Sequence, residues 1–269
     1  MITDEPWLTL PPDHTIIWRY FEACKFKSLM EQKALWFTRG DRFDDDFEGT
    51  LPKLDEAQIH TRVLETFGGD LQGAAVFERW RRQHRNCLRN NTLVSCWHIN
   101  DTESRSMWDG YVKSGEGVAV RTTVRRLLDS FPPADPRLIC VGEVMYVDHE
   151  QYRMSEVGTG GARPRPVPQS GFMEEPGGYR AFVYKKECFA EEHELRLMFA
   201  RIPIANGRAD YEKQLWTKGD LVEVAVDHLF DAVVLSPSAN QEYSEAVYKL
   251  LLEGECPDVP VRLSTFSQQ

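Results

Sequence analysis

In the stretch EEHELRLMFA, residues Glu192, Glu194 and Arg196 recur at every second position. Alternate side chains of an extended strand share a face. The spacing therefore predicts two carboxylates about 7 Å apart beside a guanidinium. One carboxylate of such a pair can orient a sugar hydroxyl while the other stabilises a developing positive charge. Crowding of like charges also raises one of the two pKa values. The same residues would equally suit a solvent-facing acidic strand end, with Arg196 as an ion-pair partner.

Three other stretches carry side chains able to do chemistry. In TIIWRYF (15–21), Arg19 stands between Trp18 and Tyr20. An arginine flanked by rings can grip a diphosphate with its fork while the rings stack a base, or it can be the edge arginine of a core strand. In TLVSCWHI (92–99), Ser95 and Trp97 face one way, Cys96 and His98 the other. Ser95 can hydrogen-bond a ligand. Cys96 with His98 could form a thiolate–imidazole pair or a metal edge, but no further ligands stand at metal spacing, so packing is the simpler reading. The acidic run Asp44, Asp45, Asp46 and Glu48 lacks the alternating oxygens and central glycine of a calcium loop, and reads as solvated or as a helix cap. Arg81, Arg85 and Arg89 recur at helical spacing, as a solvated face or as a contact for phosphate or a partner.

The elements that must position these groups follow from pattern. Strands are expected at 15–21, 35–38, 92–99, 117–122, 141–148, 221–226, 232–237 and 259–266, and the polar-to-apolar run at 191–200 continues the set. Helices are expected at 25–34, over two segments of 54–90 broken at Gly68-Gly69, after NDTES, at 124–131 and after Ser238, where Ser238 and Gln241 suit a capping box. A helical turn fits 179–186. Residues 155–178 are rich in Gly and Pro and read as one long loop, a length that is uncommon without a purpose. Strands on both sides of it predict one domain over 1–269. The irregular alternation predicts an α+β class with a mixed or antiparallel sheet and flanking helices.

Bulk properties narrow the function classes. Acidic residues outnumber basic ones, 42 to 32, and the net charge of −10 opposes non-specific nucleic-acid binding outside a local basic patch. No apolar run approaches bilayer length, so no membrane partner is expected. Six cysteines scattered singly, and an acidic rather than basic start, predict a cytoplasmic protein with free thiols. The chain lacks GxGxxG in a strand–helix context, GxxxxGK[ST], HExxH and GxSxG, which disfavours common dehydrogenases, P-loop NTPases, zincins and hydrolases.

The segments WRYF, LWFTRGDRFDDDFEG, SCWHINDTESRSMWDGYVKSGEGVAV and KKECFAEEHELR, in this order over most of the chain, resemble the bacterial family catalogued as domain of unknown function 2971. At greater distance the order of polar residues resembles ADP-ribosyltransferases, which carry an Arg or His on a first strand, a hydroxyl-bearing middle strand and an ExE before a late strand. That resemblance implies a split β-sheet and an NAD-consuming transferase acting on a protein or nucleic-acid acceptor, with NAD as co-substrate and no metal. It implies Glu194 as the catalytic carboxylate and Glu192 as the group orienting the acceptor. Arg19 or Tyr20, with Arg196 nearby, would hold the cofactor, Ser95 would support the nicotinamide ribose, and Trp97 would help wall the pocket. Two alternatives stand beside it. One is a metal-dependent nuclease or phosphoesterase using Glu192, Glu194 and an Asp of 44–46. The other is a non-catalytic binding module of a bacterial defence or stress system, using the Arg81–Arg85–Arg89 face.

Overall fold

The computed structural model describes residues 2–3, 8–152 and 180–267; the loop expected at 155–178 lies outside them. In chain order the strands are β1 (Ile2–Thr3), β2 (Ile16–Glu22), β3 (Ala34–Arg39), β4 (Thr92–Ile99), β5 (Gly117–Thr123), β6 (Ile139–Glu143), β7 (Met145–Val147), β8 (Tyr184–Lys186), β9 (Glu194–Ala200), β10 (Ile204–Ala205), β11 (Arg208–Ala209), β12 (Gly219–Glu223), β13 (Ala232–Leu235) and β14 (Val261–Leu263). The helices are α1 (Ala23–Gln32), α2 (Lys53–Thr66), α3 (Leu71–Asn90), α4 (Arg105–Tyr111), α5 (Val124–Asp129), α6 (Val226–Leu229) and α7 (Gln241–Glu253). The architecture is a mixed multistrand sheet with flanking helices.

The main sheet runs β1-β6-β9-β4-β2-β5-β13-β14, with β3 pairing both β4 and β12. Strand β4 is the branching point. Along one edge it pairs antiparallel with β9 from Thr92 to His98. Its other edge is shared. Leu93 and Val94 pair with β3, whereas His98 and Ile99 pair with β2. Ser95, Cys96 and Trp97 pair with neither, so the sheet forks at their level. One arm is β2-β5-β13-β14 and the other β3-β12. Helix α1 links the two arms and buries Phe26, Leu29 and Met30 in the main core.

Alternation divides the side chains as the pleat requires. Leu93, Trp97, Leu195, Leu197 and Phe199 join the main core on one face. Val94, Met198 and Cys140, with Cys96 packed against them, lie on the other under Phe182 and Tyr184. Trp18, Tyr20 and Trp108 form a third cluster. The break between α2 and α3 falls at Gly68 and Gly69, at φ 56° and 97°, a left-handed region that glycine enters without Cβ strain.

Several boundaries differ from the sequence reading. The run 141–148 is two strands: β6 belongs to the main sheet, while β7 pairs with β8 in a separate two-stranded ribbon. Between them the Val144 N–H turns to the Glu194 carbonyl at 2.9 Å. The strand expected at 221–226 stops at Glu223, and Val226 opens α6. The cap of α7 is Asn240, whose side chain accepts from the Tyr243 N–H at 2.8 Å; Ser238 instead donates to the Gly115 carbonyl at 2.7 Å. The helical turn expected over 179–186 shrinks to a 3₁₀ turn, Arg180–Val183, followed by β8.

Candidate active site in the fork of the sheet

Among the described residues the fork leaves one edge of β4 unpaired from Ser95 to Trp97, and Arg19 spans that gap. Its guanidinium donates to Ser95 Oγ on β4 at 2.5 Å and to the Trp36 carbonyl on β3 at 2.9 Å. It therefore bridges all three strands of the split. The rings of Phe21 and Trp97 lie 5.3 and 5.7 Å from the guanidinium carbon, a cation–π arrangement on both sides. Every partner of this cation among the described residues is neutral. Burial pulls its pKa down to about 10, still far above neutral pH, so it carries its charge into the cleft without a carboxylate opposite.

A second group of charges converges from below. Glu192 ends a 3₁₀ turn, Glu187–Glu192, and His193 adopts the left-handed conformation (φ 37°) before β9 begins at Glu194. The reversal brings both carboxylates onto one amine. Lys185 Nζ lies 2.6 Å from Glu192 Oε2 and 2.9 Å from Glu194 Oε1. The other Glu194 oxygen accepts from Arg196 Nε at 2.5 Å. Arg196 in turn forks onto both oxygens of Glu48, and also donates to the Phe182 carbonyl at 2.5 Å. Glu48 and Arg196 are fully buried. Gly49 lets the loop deliver Glu48: it takes φ +67°, and a Cβ there would meet the Phe182 ring at 2.6 Å.

This chain of five sets three carboxylates against two cations. Burial alone would lift the Glu194 carboxyl, but Arg196, aided by Glu192 and Lys185, overcomes that and holds it well below the usual carboxylate range. Glu192 goes the other way. Its burial, then its hydrogen bond to Glu194 and that group's charge, raise it to about 7 against the pull of Lys185. Two neighbouring carboxyls whose pKa values are driven apart form a pattern that assigns a fixed anion and a proton carrier.

Arg19, Glu192 and Glu194 line one cleft of about 510 Å³, within the size range of small-molecule sites. Trp18, Tyr20, Trp36 and Tyr111 contribute rings to its walls, and His98 contributes an imidazole. The Tyr20 hydroxyl accepts from the Ser104 N–H at 2.7 Å and the ring stands edge-on to Trp108, 5.0 Å away. That contact fixes the start of α4, whose last residue is Tyr111.

The structure redistributes the residues singled out by sequence. Glu192 is not on the strand with Glu194; the turn at His193 supplies the convergence that alternation was expected to give. Arg196 cannot bind a cofactor, because it is 0% exposed and its donors are taken by Glu48, Glu194 and Phe182. Ser95 lies beneath Arg19, away from the cleft surface, and acts on the arginine rather than on a ligand. Trp97 forms the floor under that guanidinium, within the main core. Burial pushes the Cys96 thiol up, so the Cys96–His98 pair holds no thiolate at neutral pH. The arginine face on α3 is not a free surface. Arg81 is buried and meets Glu56 at 3.0 Å and Glu78 at 3.3 Å, Arg85 pairs with the same Glu56, and Arg89 reaches the Asp46 carbonyl at 3.4 Å. Acids of the helical hairpin claim Arg81 and Arg85, and Arg89 donates to a backbone carbonyl of the preceding loop.

Glu48, Lys185, His98 and Tyr111 are the site residues that sequence reasoning missed or misassigned. Glu48 was read as a solvated acid, although its neighbour Gly49 hinted at a constrained turn. Lys185 gave no signal beyond its proximity to the ExE. Among the described residues no three His, Cys, Asp or Glu side chains cluster as a set of metal ligands, and no helix is long and apolar enough to cross a membrane. Compared with models of protein families, curated proteins and solved structures, the chain matches none.

Proposed function

We propose that the chain is an NAD⁺-consuming, ADP-ribosyltransferase-like enzyme whose active site is the fork of the sheet. The observation that carries this reading is the meeting of a charged guanidinium, without an ion-pair partner among the described residues, with a carboxylate pair of divergent pKa in one cleft. Arg19 suits a diphosphate, because its neutral partners orient the guanidinium without neutralising it. The exposed ring of Trp36 suits a flat heterocycle. The resemblance to domain of unknown function 2971 is compatible with this reading and adds no mechanism to it.

The chemistry balances with these residues alone. The bond between nicotinamide nitrogen and ribose C1 breaks, and its electron pair leaves with nicotinamide, which departs neutral and needs no proton. Positive charge builds on the sugar, as in glycoside cleavage. The fixed anion Glu194 favours that charge more strongly in the transition state than in the ground state. A hydroxyl or amine of a macromolecular acceptor attacks C1 and forms the new bond, and Glu192 in its ionised form takes the acceptor's proton.

The test is incubation of the full chain with NAD⁺, following free nicotinamide, with Glu194→Gln alongside. Water can replace the acceptor in this assay. Release by the wild type, lowered at least about 100-fold in the variant, is the expected result. Absence of both nicotinamide release and thermal stabilisation by NAD⁺ would refute the assignment.

A further inference from the structure

His98 stands on β4 opposite both arms of the site: its backbone pairs with Trp18 on one edge and with Glu194 on the other. The imidazole is 95% buried by its 5% exposure, and it lines the same cleft. Its Nδ1 lies 2.7 Å from the Glu192 carbonyl oxygen. A carbonyl oxygen only accepts, so Nδ1 must carry the proton. In a neutral ring that fixes the tautomer, and Nε2 is left as a bare lone pair. Burial lowers the pKa of this histidine, with the Glu192 carbonyl pulling the other way, so the ring is neutral at physiological pH. Nε2 has no hydrogen-bond partner among the described residues. A buried acceptor without a donor is costly to maintain, and cleft-lining groups of this kind are satisfied by what the cleft binds.

We propose that His98 is a ligand-binding residue of this cleft, its Nε2 accepting a hydrogen bond from a neutral N–H or O–H donor of the bound molecule. The inference rests on the NAD⁺ reading and deepens it. Arg19 recognises the anionic part of the molecule, and His98 recognises an uncharged polar group elsewhere on it. In NAD⁺ three kinds of group have that chemistry: the carboxamide NH₂, the adenine amino group and the ribose hydroxyls. A carboxylate in the same place would meet a lone pair and the Glu192–Glu194 pair, and would be rejected. The bond from Nδ1 to Glu192 gives the residue a second consequence. It ties the orientation of the ligand acceptor to the backbone of the proton-carrying carboxylate.

The experiment titrates full-length wild type, His98→Gln and His98→Phe with NAD⁺ and with ADP-ribose, which keeps both sugars and lacks the carboxamide. Binding is read by calorimetry, and the wild-type imidazole by ¹⁵N NMR, with the His98→Gln spectrum identifying its resonances. His98→Phe is expected to weaken NAD⁺ at least about tenfold, the cost of leaving a buried donor unpaired. A loss confined to NAD⁺ supports the proposal with the amide as donor; an equal loss for both ligands supports it with a ribose hydroxyl or the adenine amine, which both ligands keep. In the wild type, Nε2 should shift on binding from the position of an unbonded pyridine-type nitrogen, whereas Nδ1, already bonded, should hold. This readout follows the wild-type protein itself, the variant serving only to identify the resonances. Tight NAD⁺ binding by the wild type without movement of Nε2, and with His98→Phe binding as well, overturns the role of His98 and leaves the enzymatic reading intact. Failure of the wild type to bind either ligand overturns both.

Discussion

Two arginines flank β4 one residue apart, and they are opposites. Arg196 on β9 stands beside Cys96 in register, while Arg19 on β2 donates to Ser95. Arg196 is fully buried and Arg19 half-buried; Arg196 meets two carboxylates and a carbonyl, and Arg19 meets a hydroxyl, a carbonyl and two rings. Their pKa values separate accordingly. The carboxylates push Arg196 well above its ordinary value against the effect of burial, while burial draws Arg19 down. A buried cation whose counter-ions come from its own chain holds a fold together. One surrounded by neutral acceptors is oriented without being neutralised, and its counter-charge has to arrive with a ligand. That distinction separates scaffold from site more sharply than burial or sequence motif does here.

The comparison is most exposed to the same substitution made at both positions. Arg196→Met leaves Glu48 and Glu194 buried without their cation, and breaking a buried pair this way costs about 3–5 kcal/mol. Arg19→Met strands only a hydroxyl and a carbonyl, a loss of about 1–2 kcal/mol. Urea denaturation of the two variants measures both. Equal losses would erase the distinction between scaffold and site.

Ligand affinity should invert that order. Arg19→Met removes a charge-assisted contact and is expected to weaken ADP-ribose about 10- to 100-fold, read by calorimetry on the folded variant. Undiminished binding would return Arg19 to a purely structural role, pinning the arms of the fork.

The proton carrier gives a pH test with two opposite signs. The folded-state pKa of Glu192, about 7, lies above its unfolded value, so the folded state holds the proton more tightly. Stability should then fall as pH rises from about 4.5 to about 7. The contribution is about 1–2 kcal/mol once the partial exposure of this side chain is allowed for. ADP-ribose transfer to an acceptor should rise over the same interval, because the base form is the active one. Glu192→Gln is expected to flatten both slopes. Burial lowers the pKa values of His98 and His149, which adds a slope of the opposite sign. The decisive quantity is therefore the difference between wild type and Glu192→Gln, and a difference that does not change through this interval would contradict the assignment of the proton.

Sequence alone brought the reading to the elements but not to their junctions. The run TLVSCWHI coincides with β4, and the alternation along it correctly divides Ser95 and Trp97 from Cys96 and His98. Local chemistry also placed the α2–α3 break. The fork escaped, because it depends on which distant strands claim the two ends of one edge of β4, a competition invisible to local pattern. Glu48 and Arg196 find each other across 148 positions. The αL turn at His193 broke the expected strand because a non-glycine residue there gives little local warning. On α3, Arg81 has the look of a solvated face until α2 folds back with Glu56. Apart from that turn, each of these misses is a long-range pairing overriding a correct local expectation.

The smallest expected effect tests the neutral side of the comparison most finely. Ser95 is 1% exposed and does not touch the cleft, so its role in binding can be exerted only through Arg19. Ser95→Ala keeps the charge of the guanidinium and its bond to the Trp36 carbonyl, and removes one neutral anchor. The expected stability loss is about 1 kcal/mol. If orientation matters as argued, ADP-ribose affinity should fall only a few-fold, through looser placement of a cation still present. Raising salt should weaken binding to wild type and Ser95→Ala by the same factor, because both retain the charge, whereas the residual affinity of Arg19→Met should lose much of its salt dependence. A Ser95→Ala variant that loses binding as completely as Arg19→Met would mean that the hydroxyl contacts the ligand directly, and that the cleft opens further beneath the arginine than this structure shows.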